Sequence, residues 1–330
     1  MMSESAEMTV STDVEREGFV HSALFYHSQQ QYLDFVSRFV LEGLAADEPV
    51  LVAVPGDKLA LLREEVFRRR NGAKAELRMM DITEVARNPS CFLAMEGDFV
   101  ARYPDRRVRI VSQLVWPGRT AAEAPACVQH EALVNGEFYG KNVMGLCLYD
   151  AGCLDDEVLM DARATHPLLW KFGSLYPSTD YAPDHALARC NQPLNTNPGA
   201  VTYTVRKSAD LRLARSFAFS YADWVGLSQD GIEELQLIAT ELASNSLLYT
   251  DGGCRLAFWR HDEHLVCEAR DSGWFDDPAI GLRTPGDEGT ASRGLFLVNA
   301  MTDLVRTHTA TTGTTIQAYL RIEPARGSTG

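Results

Sequence analysis

The sequence predicts two α/β units in series: an N-terminal three-layer α/β sandwich with a mainly parallel sheet, then a smaller α+β sandwich. Three observations predict it. Through residue 150, continuous apolar runs alternate with amphipathic helical patterns, as expected of a sheet buried on both faces. Residues 176–200 carry four prolines among Asn, Asp, Ser and Thr, which can continue neither a helix nor a central strand. Beyond them, helices flank a hairpin pattern around the short polar turn at 262–264.

At 330 residues, each unit is long enough to bury its own core. Hydrophobic content of 45% and charged content of 23% are those of a globular protein. A net charge of -14 argues against general affinity for nucleic acid or anionic membrane, and favours a partner with basic patches. Residues 1–18 are polar and acidic, read as a disordered lead-in without the basic start and apolar core of a signal peptide. No apolar run is long enough to span a membrane. The seven cysteines contain no CxxC pair and are expected as free thiols in a reducing cytoplasm.

In the first unit, residues 19–28 suit a strand, and Leu33, Phe35, Val36, Phe39, Val40 and Leu44 mark a helix. PVLVAVP is a buried strand stopped by Pro55 and Gly56, and LALLREEVFRRR a second helix. A short strand at 77–82, a helix at 92–103 and strands at 107–115 and 143–150 continue the alternation. Ligands of such sheets collect at the carboxyl ends of strands. The expected pocket residues are therefore Asp81, Trp116, Arg119, Tyr149 and Asp150. His130, Glu131 and His166 invite a metal reading, but their spacings match no common zinc arrangement, so hydrogen-bonded core residues are expected instead.

The segments ALFYHS, PVLVAVPGDKLALL, VWPGRT, HEALVN, LCLYDAGCLDD and DARATHP occur in an order that resembles the MEDS sensory domain over about 160 residues. The resemblance implies an α/β sensor of a small molecule. Gln113 stands where relatives tend to carry Glu.

In the second unit, AVTYTV is a strand and residues 208–225 an amphipathic helix. Ser228 is the expected N-cap of a helix whose buried stripe is Ile232, Leu235, Ile238, Leu242 and Tyr249. Glu241 and Asn245 sit one turn apart beside that stripe, where a carboxylate and an amide can hold a hydrated Mg²⁺ and orient a nucleophile. Asp271 ends a strand, and Gly273 lets a flat ring approach the backbone. Gly289 to Leu295 is a glycine-bearing loop expected to open a helix at 294–304, with N–H groups and the Arg293 guanidinium facing phosphate. Gly313, Thr314 and Thr315 open the last strand.

In order, E-x-x-x-N, D-x-G, G-x-x-x-R-G-L and G-T-T resemble the N, G1, G2 and G3 boxes of the GHKL ATPase superfamily, with its Bergerat fold. TELASNSLLYTDG is most similar to the anti-sigma-factor serine kinase branch, and no phosphotransfer helix precedes it. The resemblance implies ATP and Mg²⁺ as cofactors, Asn245 as Mg²⁺ ligand and Glu241 as general base. It assigns Asp271, Gly273 and Thr315 to adenine, and Gly289, Arg293, Gly294 and Leu295 to phosphates. It implies a sigma factor or an anti-anti-sigma (STAS) protein as partner, and a homodimer. The family's second G1 glycine is missing, with Trp274, Phe275 and Asp276 in its place, and Asp276, Asp277, Asp287 and Glu288 make the following loop an acidic lid. Those departures favour the alternative, a partner-binding module without transfer. The expected organisation is a lead-in at 1–18, a sensor at 19–180, a linker at 181–200, an ATPase-like domain at 201–323 and a tail at 324–330.

Overall fold

A computed structural model describes residues 18–69, 75–286 and 290–322. The expected disordered lead-in and tail lie outside the described residues, apart from Gly18. The chain divides into two compact units between Cys190 and Asn191.

The first unit is built on β1 (Val20–Tyr26), α1 (Gln29–Ala45), β2 (Val50–Val54), α2 (Gly56–Arg69), β3 (Leu77–Asp81), α3 (Ile82–Val85) and α4 (Phe92–Ala101). It continues through β4 (Val108–Ser112), α5 (Ala124–Glu137), β5 (Val143–Asp150), α6 (Asp156–Thr165), β6 (Leu168–Lys171), β7 (Ser174–Pro177) and α7 (Pro183–Cys190). The sheet runs β3-β2-β4-β5-β1-β6-β7, parallel except for β7. Every residue of β2 is buried, because helices cover both faces. Val50, Val52 and Val54 meet α1 and α2 through Val36, Phe39 and Leu62. On the other face Ala23, Cys147 and Tyr149 meet α6 through Leu159 and Ala162. The β6–β7 hairpin is an addition to the predicted strands. It turns at Phe172 and Gly173, both at positive φ, with Phe172 98% exposed.

The second unit comprises β8 (Val201–Val205), α8 (Leu211–Val225), α9 (Gln229–Tyr249), β9 (Cys254–His261), β10 (His264–Asp271), α10 (Thr290–Met301), β11 (Leu304–Ala310) and β12 (Gly313–Arg321). Its antiparallel sheet has the order β11-β12-β10-β9-β8. Ser228 caps α9, accepting from the Gly231 N–H at 3.2 Å. Ile232, Leu235, Ile238 and Leu242 are buried as the period predicts, against Phe258, Leu265 and Ala318. Tyr249, at the last turn, is exposed instead.

The opposite face of this sheet is covered by the chain's own residues 191–200. The Leu194 carbonyl accepts from Arg270, and the Asn195 carbonyl accepts from Gln317. The Thr196 hydroxyl donates to Glu268, a fully buried carboxylate that also accepts from Gln317 Nε2 at 2.8 Å. A buried carboxylate is tolerated only when its lone pairs are met in this way.

Candidate functional site

In the second unit, α10 packs beside α9 and brings the predicted N-box and G2 residues together. A Cβ built on Gly294 would lie 2.7 Å from Glu241 Oε2, and 3.2 and 3.3 Å from Asn245 Nδ2 and Oδ1. Only glycine gives both polar groups that approach. The Asn245 Nδ2 is buried without a hydrogen-bond partner, the kind of orphaned donor that calls for a ligand. Arg293 is exposed beside Gly294. Helix α10 begins at Thr290, four residues before the predicted start, so Gly294 lies inside it.

Asp271 closes β10 at the same end. Its Oδ2 accepts from Ser246 Oγ at 2.5 Å and its Oδ1 from the Gly273 N–H at 2.9 Å. Ser246, which the sequence reading passed over, ties the strand end to the helix of Glu241 and Asn245. Gly313, at φ +141, lies so close that a Cβ would meet the Asp271 carbonyl at 2.4 Å. Thr314 pairs across from Asp271 and its hydroxyl donates to the Gly273 carbonyl at 2.8 Å.

Two predicted residues stand elsewhere. Ile316, Ala318 and Leu320 face the helices, so by strand alternation Thr314 shares the face of Asp271 and Thr315 takes the other. Leu295 packs in the core, against Gly281 of the lid segment. Gly289, Asp287 and Glu288 lie outside the described residues. Of the remaining lid acids, Asp277 pairs with Arg283 at 2.8 Å.

In the first unit, a cavity of about 610 Å³ opens over the carboxyl ends of β4 and β5, bounded by α5 and α6. Trp116, Arg119 and Tyr149 line it. Arg119 stacks on Trp116 at 3.7 Å and spends its donors on Glu123 and the Leu114, Ala86 and Arg87 carbonyls, so it shapes the wall. Asp81 and Asp150 do not line the cavity. Asp81 caps α3 through the Thr83 N–H at 2.9 Å. Asp150 follows Tyr149 on the strand, so it faces the opposite layer, where it accepts from Lys58 at 2.9 Å. Lys58 also bonds the Tyr26 hydroxyl, which accepts from Gln113 Nε2 at 3.0 Å.

Behind the cavity wall lies a buried polar cluster that no sequence spacing announced. Glu131 Oε2 is 3.3 Å from His21 Nε2 and 3.4 Å from His166 Nε2, and Cys147 Sγ is 3.4 Å from His21 Nε2. His130 and Glu96 meet 3.4 Å apart nearby. Burial lowers the pKa of His130 and that of His21 to about 4. Burial, then the Glu131 charge, raises Glu96 well above the usual carboxylate range.

Residues 20–167 match the family model described as MEDS, the methanogen/methylotroph, DcmR sensory domain. Residues 205–320 match that of the histidine kinase-like ATPase domain. The chain joins a MEDS domain to a histidine kinase-like ATPase domain. No curated protein matches it. Among solved structures it is similar to the RsbU and RsbW domains of a Mycobacterium tuberculosis protein, at TM-score 0.30 and 18% identity, over 38% of this chain and 34% of that one. This chain thus spans about a third of that relative's length. The Acinetobacter baumannii histidine kinase AdeS matches at TM-score 0.26 and 10% identity, over 61% of this chain and 96% of its own. The MEDS domain holds the cavity and the buried cluster. The ATPase domain, whose family implies ATP as ligand, holds Glu241, Asn245, Asp271 and Gly294. No helix among the described residues is long and apolar enough to cross a membrane.

Proposed function

We propose that this chain is a cytoplasmic signalling regulator in which the ATPase domain binds ATP with Mg²⁺ and phosphorylates a serine or threonine of a protein partner. The observation that carries this reading is the convergence of Glu241 and the orphaned Asn245 amide on the space that a Cβ at Gly294 would fill. ATP with Mg²⁺ supplies the phosphoryl group and the cation that offsets its charge, so positioning and one base complete the chemistry. Asn245 Oδ1 holds the metal side of the site. Glu241 takes the proton from the attacking hydroxyl. Asp271 accepts from the adenine amine, Gly273 lies against the ring, and the Arg293 guanidinium faces the phosphates.

The partner class is an anti-anti-sigma (STAS) antagonist as substrate, or a sigma factor held by sequestration, with a small molecule in the MEDS cavity as the controlling signal. A second reading, a partner-binding module without transfer, is favoured by one observation: Trp274 and Phe275 follow Gly273 where the family's second G1 glycine would let a nucleotide in.

The test is a calorimetric titration of ATP with Mg²⁺ into the full chain, with Asn245→Ala beside it, followed by label transfer to a STAS protein. Saturable binding lost in Asn245→Ala, with transfer lost and binding kept in Glu241→Gln, is the expected result. Binding without transfer to any serine or threonine favours the module reading, and no binding at millimolar ATP overturns the kinase reading and leaves the module.

A further inference from the structure

The cluster of His21, Glu131, Cys147 and His166 is assembled from four separate elements: β1, α5, β5 and the turn after α6. Its ligand-type atoms all lie within 4.8 Å of one another, and all four residues are buried. The hydrogen bonds around it fix what those atoms are. Asn135 donates its amide nitrogen to the Glu131, Ala132 and Thr165 carbonyls, so its Oδ1 faces His21 Nδ1 at 3.0 Å. An acceptor there requires an N–H on His21 Nδ1. His166 Nδ1 faces the Ala162 carbonyl at 2.7 Å, which requires the same tautomer.

As neutral rings, both imidazoles therefore turn a bare Nε2 lone pair inward, toward a carboxylate oxygen that is itself only an acceptor. Glu131 Oε2 and His166 Nε2 have no hydrogen-bond partner, though their residues are 2% and 0% exposed. Converging acceptors in a dry interior repel unless a cation lies between them.

We propose that His21, Glu131, Cys147 and His166 bind one divalent transition-metal ion of the zinc type. Tetrahedral zinc with bonds of about 2.0–2.3 Å sets its ligand atoms roughly 3.3–3.8 Å apart. The separations of 3.3, 3.4 and 3.4 Å fit those edges, and are longer than the 2.7–2.9 Å or so of charge-assisted hydrogen bonds. A carboxylate and a thiolate carry two negative charges, which a divalent ion cancels in a buried site. A void of about 10 Å³ adjoins His21, Glu131 and Cys147. The support beyond the ligands is that of metal-bound histidine, whose second nitrogen donates to a protein carbonyl. Ser112 Oγ, 3.4 Å from Cys147 Sγ, supports the sulfur in the same way. Glu131 also lines the 610 Å³ cavity, so the ion stands in the wall of the MEDS pocket.

The test uses the full chain without a histidine tag, kept reduced by a phosphine and loaded with Co²⁺ as probe. One Co²⁺ per chain is expected, with the intense visible bands of a tetrahedral site and a thiolate-to-cobalt charge-transfer band, both erased by Zn²⁺. Cys147→Ser loses the charge-transfer band. Asn135→Ala, which leaves the four ligands in place, weakens binding about 10–100-fold in a chelator competition. Wild-type protein that is folded by circular dichroism yet takes up neither Co²⁺ nor Zn²⁺ overturns the proposal. So does uptake with spectrum and affinity unchanged in both variants, which puts the ion elsewhere.

Discussion

Replacing Gly294 with Ala separates the nucleotide site from the fold, because the two respond in opposite directions. Gly294 lies inside α10 at helical φ, where Ala is favoured over Gly by about 1 kcal/mol. The added methyl meets no backbone within 3 Å, only the end of the Glu241 side chain at 2.7 Å. Glu241 is half-buried and can swing away, so the fold loses little. To regain ordinary contact at 3.4 Å the carboxylate retreats by about 0.7 Å, and misplacing a catalytic group by about 1 Å costs on the order of 10²-fold in rate. The expected outcome is a melting temperature unchanged or raised by about 3 °C, with phosphoryl transfer reduced roughly a hundredfold. Thermal melts and label transfer on the same preparation check both. Undiminished transfer refutes the placement of Glu241 as base, and a melting point several degrees lower refutes the claim that the site alone is affected.

Thr314→Val removes the hydroxyl held by the Gly273 carbonyl and is expected to weaken ATP binding by about 1 kcal/mol, roughly fivefold, whereas Thr315→Val on the other face leaves it unchanged; calorimetry distinguishes them. Thr196→Val deprives buried Glu268 of one partner and is expected to lower stability by about 1–2 kcal/mol, read from the denaturation midpoint of the second transition. Burial raises the Asp150 carboxyl, but the hydrogen bond and charge of Lys58 outweigh it and hold its pKa below the usual value. Asp150 therefore contributes stability that is fully present above its unfolded pKa and lost as pH falls through the folded one. The gap in melting temperature between wild type and Lys58→Met should be constant above pH of about 5 and close below about 4.

Much of this architecture was legible because burial writes itself as period. Ile232, Leu235, Ile238 and Leu242 repeat at helical spacing since one face of α9 meets the sheet, and VLVAV reads as a central strand since both its faces are covered. The candidate residues of the second unit could be named from the boxes because each box lies in one stretch of chain. The misreadings come where direction matters more than position. Thr314 and Thr315 differ by one residue and hence by a whole face, a distinction the apolar alternation at Ile316, Ala318 and Leu320 carried. Tyr149 and Asp150 part for the same reason. Gly294 is expected to open the helix from a glycine-bearing loop, whereas it sits inside α10, where the lack of a side chain admits Glu241. Of the His21, Glu131, Cys147 and His166 cluster, Glu131 and His166 stand out in the sequence but are set aside on spacing, because the grouping depends on topology. Strand β1 lies between β5 and β6, which pairs Ala23 with Cys147 across 124 positions of chain, and no local spacing encodes that.

The strap of residues 191–200 also has a mechanical meaning. Its first anchor is Asn191, whose side chain exchanges two hydrogen bonds, of 2.8 and 3.0 Å, with the backbone of Thr309 on edge strand β11. The Thr309 hydroxyl bonds Thr314, and Thr314 bonds the Gly273 carbonyl. Tension applied at residue 190 loads the Asn191 pair before any other part of the strap, so the segment peels bond by bond rather than shearing at once. The edge strand that first feels the pull is the one buttressing Gly273, at the end of the site proposed for adenine. A tug on the tether thus reaches Thr314 and Gly273 before it reaches Glu241 and Asn245, which are rooted in α9.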